Sequence, residues 1–139
     1  MPLWGSVYQQ WVIGYQYYGG IKQWMNNTVA DVPSRSPVKT ATSMPGWMLA
    51  ADLVARPDAA HWGDSSWSGG WQNLPAHKNA GSSLPPGANE VFIDGSARWI
   101  KAKGVMMFIH SWAVGRELYF YQEDLGALEP YRASLLKVP

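Results

Sequence analysis

Residues 89–101 read NEVFIDGSARWIK, two apolar runs on either side of Asp94-Gly95-Ser96. An Asp-Gly pair in that position is a strong short-range signal for an antiparallel hairpin, because both residues tolerate the positive φ that a tight turn demands. The pattern predicts strands over 90–93 and 97–101 that meet at a turn formed by Asp94 and Gly95. A hairpin so far along the chain commits its neighbours to antiparallel pairing and sets the fold class.

The neighbours agree. WVIGYQYYGG, from Trp11, is β-branched and aromatic and stops at a double glycine, as a strand running into a turn does. Residues 25–46 carry three prolines among small polar residues and read as a loop with one short helix near Pro37–Ser43, Ser36 capping and Pro37 in the first turn. The apolar run Trp47–Leu53 has the length of a buried strand. Residues 61–89 hold Gly, Ser, Pro and Asn with almost no aliphatic side chain, the composition of a long irregular loop. VMMFIHSW is ambiguous, ELYFYQED (117–124) reads as a strand, and DLGALEPYRASLLK (124–137) as a helix broken at Pro130. The expected class is α+β, a small antiparallel β-sheet with long loops and few short helices. Trp11, Trp47 and Trp99 are expected in its core.

At 139 residues the chain suits one domain, 1–139. Eleven Lys and Arg against ten Asp and Glu give a net charge of +1 without runs of either sign, which points to no nucleic-acid partner. Without cysteine there is neither a disulfide framework nor a thiolate site. No apolar stretch approaches the ~20 residues of a spanning helix, so the chain as given is expected to be soluble.

Few residues offer chemistry. His61, His77 and His110 are the only imidazoles, at spacings that match no metal or catalytic motif. A surface or hydrogen-bonded loop histidine is the favoured reading of each over a metal or catalytic role, with pairings of His61 with Asp64 and of His77 with Asp94 as the sharper alternative. Trp62, Trp67 and Trp71 stand four or five residues apart in the Gly/Ser loop. Their rings serve either to bury the underside of that loop, the favoured reading, or to stack on sugars in a carbohydrate-binding module. The Asp94-Gly95 turn also invites comparison with an Asp-box, but the feature occurs once and without propeller blades.

Several stretches together, YQYYGG, WMLAADLV, LPAHK followed by PPGANEVFIDGSARWIK, HSW and YFYQEDLG, resemble the C-terminal globular part of type II secretion pseudopilin-like, prepilin-type proteins of the Planctomycetes and Verrucomicrobia. In that family a histidine precedes an Asn-x-x-Phe-x-Asp-Gly hairpin. The matching residues here are His77, Asn89, Phe92, Asp94 and Gly95, with Trp99 in the aromatic position of the second strand. Sixteen residues separate His77 from Asp94, more than the family's nine. The similarity spans roughly residues 11–128.

The resemblance implies a pilin-like head without enzymatic activity, acting by contacts with other pseudopilin subunits or secretion-system proteins on the periplasmic side of the inner membrane. It implies attachment to that membrane only through an N-terminal helix that this chain lacks, and hence a sheet face left apolar and partly exposed where the helix would pack. It requires no cofactor. Calcium, which some type II secretion pseudopilins bind, would have Asp64, Asp94 and His77 as candidate donors here.

Overall fold

The computed structural model describes residues 2–3, 10–11, 14–56, 62, 77, 79–82, 84–111 and 116–138. Among them the chain is strand-rich, with small antiparallel sheets and little helix, in keeping with an α+β class. The strands are β1 (Pro2–Leu3), β2 (Gln10–Trp11), β3 (Tyr15–Tyr17), β4 (Gln23–Trp24), β5 (Val32–Pro33), β6 (Met48–Asp52), β7 (Ala55–Arg56), β8 (Gly87–Phe92), β9 (Ala97–Lys101), β10 (Met107–Ser111) and β11 (Glu117–Phe120). Two 3₁₀ segments, Thr40–Thr42 and Gly126–Tyr131, and one short helix, α1 (Arg132–Leu135), complete the described elements. None of these helices is long and apolar enough to cross a membrane.

The principal sheet has the order β3-β6-β8-β9, and a second has the order β10-β11-β7. Two further two-stranded ribbons are β1-β2 and β4-β5. The β8–β9 hairpin forms where expected, but its turn is of a different kind. Gly95 N–H donates to Phe92 O at 3.0 Å and Phe92 N–H to Ser96 O at 2.9 Å, which puts Ile93 and Asp94 at the centre of the turn. Gly95 alone takes the left-handed conformation, φ 82°, as the bulge residue that follows. Asp94 then acts through its side chain, Oδ1 accepting from Ser96 N–H at 2.8 Å.

β10 and β11 are buried at every position, which explains their run of apolar residues without alternation. The core joins them to the inner face of the principal sheet through Met48, Ala51, Phe92 and Ile100. Tyr18, just after β3, stands 4.3 Å from Phe120 of β11, and Trp24 of β4 lies 5.6 Å from the same ring. Among the described residues Trp24 is the largest fully buried side chain.

Several expectations are corrected. Trp99 is 47% exposed and Trp47 half-buried, so neither is a core residue, and the side chain of Trp11 lies outside the described residues. Ser36 caps no helix. Its hydroxyl donates to Tyr18 O and accepts from Ile21 N–H, tying the β3–β4 connection to the 31–38 segment, and the helical turn begins only after Lys39. The expected strand from Trp11 to Tyr18 is described as two pieces, β2 and β3, and strand structure starts at Gly87, inside the predicted loop 61–89. Pro130 sits within the 3₁₀ segment instead of breaking a helix.

Candidate functional site

Period-two alternation sends Gln16, Ala51, Glu90 and Ile100 inward from the principal sheet, and Tyr15, Tyr17, Asn89, Val91 and Trp99 outward. Pairing aligns the outward residues in a row. Tyr15 is opposite Asp52, Asn89 is opposite Trp99, and Asn89 N–H and Nδ2 both donate to Asp52 Oδ2, at 2.8 and 2.9 Å. The row therefore reads aromatic, carboxylate, amide, aromatic across all four strands. A cavity of about 320 Å³ opens on it, lined by Tyr15, Ala50, Ala51, Asp52, Asn89 and Val91.

His77 lies over this row. Its Nε2 is 3.0 Å from Asp52 Oδ2 and 3.4 Å from Asn89 Nδ2, and its ring stands edge-on to Trp99 at 5.1 Å. A carboxylate only accepts, so a proton belongs on Nε2, bonded to Asp52, and Nδ1 faces away from that bond. His77 holds φ at 60°, the one non-glycine residue with positive φ among those described, a conformation that surrounding contacts must maintain.

The Trp99 indole has its place because of Gly87. A Cβ at Gly87 would stand 2.8 and 2.9 Å from indole atoms Cε2 and Cζ2 and would also strike Ile100 O. The ring thus lies down on the strand beside it and covers backbone that has no side chain of its own.

Beneath the sheet, Glu90 is completely buried between β6 and β9. Its Oε1 accepts from Tyr121 N–H at 2.7 Å, while Oε2 has no partner among the described residues. Burial pushes its pKa up to about 8, against the smaller opposing effect of the Tyr121 bond.

The predicted site residues scatter. His77 pairs with Asp52 and not with Asp94, which stays in its own turn, three residues beyond Val91. His110 accepts from Met25 N–H through Nδ1 at 3.1 Å and lies 5.6 Å from Trp24, and burial lowers its pKa. It is a hydrogen-bonded histidine buried in β10, neither on the surface nor in a loop as the favoured reading had it. Trp62 packs on Tyr119 at 4.7 Å, with the Arg56 guanidinium 5.7 Å from its ring. His61, Asp64, Trp67 and Trp71 lie outside the described residues. Among the described residues no three His, Asp or Glu side chains are grouped to hold a metal ion.

Sequence reasoning passed over Asp52, Tyr15 and Tyr17 as functional residues. Their signal is present, a lone carboxylate in an otherwise apolar strand and two tyrosines at the spacing of one sheet face. Comparison with models of protein families, with curated proteins and with solved structures finds no match.

Proposed function

We propose that this chain is the head domain of a pseudopilin-like, prepilin-type protein, a pilin-like α+β unit that carries out no reaction and works by contact with other subunits or secretion-system proteins at the periplasmic side of the inner membrane. One observation carries the reading. The residues of the resemblance that are distant in sequence, His77, Asn89 and Trp99, converge in one cluster on the β8–β9 hairpin, together with Asp52 of the ADLV stretch. A motif that closes a latch over a sheet is a fold-holding device, which suits a display domain.

Protein contacts have a surface available. Val38 and Met44, on the segment leading into β6, are 71% and 57% exposed. Met44 also lines a second cavity of about 380 Å³ with Pro45, Trp47, Glu123 and Asp124, apolar on one side and acidic on the other.

Genomic DNA upstream of the Met1 codon tests the proposal. An in-frame basic leader, a prepilin cleavage site and an apolar helix of pilin length are the expected result. An in-frame stop codon directly upstream of Met1 overturns it.

A further inference from the structure

The outward row of the principal sheet has a chemistry that a latch does not require. Tyr15 and Tyr17 are 56% and 64% exposed at the β3 edge, and Trp99 offers an exposed indole at the β9 edge. From β3 to β9 is three strand spacings, ~14 Å, the length of a short oligosaccharide. The floor between the aromatic edges is low, with Ala50 and Ala97 on either side of Val91. The middle of the row is polar. Asp52 Oδ2 is fully used by Asn89 and His77, but no described residue bonds Asp52 Oδ1 or His77 Nδ1.

An apolar helix or sheet laid over this face would strip water from a carboxylate, an amide and an imidazole without offering them donors, which disfavours such an occupant. A polyhydroxylated ligand reverses that balance. Its C–H faces stack on the aromatic rings while its hydroxyls donate to Asp52 Oδ1 and hydrogen-bond His77 Nδ1. The carboxylate at the centre disfavours acidic sugars, and a shallow, nearly straight row across a sheet suits an extended chain.

We infer that the outer face of the β3-β6-β8-β9 sheet is a binding site for a linear, neutral, β-1,4-linked glycan, with Tyr15 and Trp99 as stacking platforms and Asp52 and His77 as hydroxyl partners between them. The site is distinct from the loop tryptophans, and it stands whether or not the chain is a pseudopilin head.

Isothermal titration of the chain with cellohexaose, xylohexaose and chitohexaose is the test. At least one hexaose gives a saturable binding heat, and Tyr15→Ala and Trp99→Ala each weaken it about tenfold or more. Circular dichroism checks that each variant is folded. If Trp99→Ala fails to fold, Tyr15→Ala at the opposite edge decides alone. Absence of binding by all three hexaoses overturns the inference, as does binding that survives substitution at both edges. Sedimentation equilibrium covers the remaining occupant: self-association of the chain that Tyr15→Ala abolishes, without glycan binding, makes the face an interface between copies and overturns the glycan site.

Discussion

Asp52 Oδ2 gathers three donors, His77 Nε2 and both N–H groups of Asn89, within 3.0 Å. One carboxylate oxygen thereby fixes a residue 25 positions along the chain to the second strand of the principal sheet. Asp52→Ala removes the common acceptor, and the expected loss is about 1–2 kcal/mol, because the cluster stays partly hydrated. Urea denaturation of the variant measures it. A midpoint equal to that of the native chain would show that the latch contributes nothing to stability.

Gly95 illustrates a cost of backbone alone. Its φ is 82° and a Cβ there would meet nothing within 4 Å, so any penalty for a side chain comes from the left-handed conformation. Gly95→Val is expected to lower stability by about 1–2 kcal/mol and Gly95→Asn by less, since asparagine tolerates that region. Thermal melting of the pair gives the ranking, and equal melting temperatures would remove the bulge assignment.

Glu90 makes stability depend on pH. Its pKa rises from 4.5 to about 8 on folding, so the folded state holds a proton that the unfolded state has released across that interval. This contribution is full below pH 4.5 and is lost as pH rises through 8. His110 has the opposite sign, because its lowered pKa costs stability as pH falls below 6.5, so the clean window lies above that value. Denaturation at pH 6.5 and 8.5 should show a fall of ~2 kcal/mol for the native chain and almost none for Glu90→Gln.

Glu117 anchors the second sheet. Its Oε2 accepts from Arg56 Nη1 at 3.1 Å and from the Tyr119 hydroxyl at 2.5 Å, and Lys137 Nζ stands 3.5 Å from Oε1. Glu117→Ala takes the acceptor away from two largely buried donors, and a loss of about 2–4 kcal/mol is expected, with Glu117→Gln costing less. Urea denaturation followed by near-ultraviolet circular dichroism, which reports loss of fixed aromatic packing, measures both variants.

Much of the fold was legible where a local signal stood alone. Asp94-Gly95 placed the hairpin, and the apolar run after Trp47 placed β6, because turn chemistry and burial act on neighbours in sequence. The turn type was not legible, since Asp94 can centre either geometry and the register of Phe92 with Ser96 decides between them. Trp99 was misjudged because hydrophobicity alone put it in the core, whereas in an edge strand the inward side belongs to Ile100. Trp24 gave no warning in a polar stretch; only the packing of Tyr18 and Phe120 around it buries it. The candidate site was half legible. His77, Asn89 and Trp99 were noted, but the partner that unites them, Asp52, lies 25 residues before His77, a separation at which spacing carries no information.

The indole of Trp99 occupies the space that a side chain at residue 87 would need. Ile100 O stands closer still to where that Cβ would lie, so backbone as well as indole closes position 87 to any side chain. In any related chain position 87 should therefore stay glycine whatever residue stands at 99, while position 99 is free to vary without a matching change at 87.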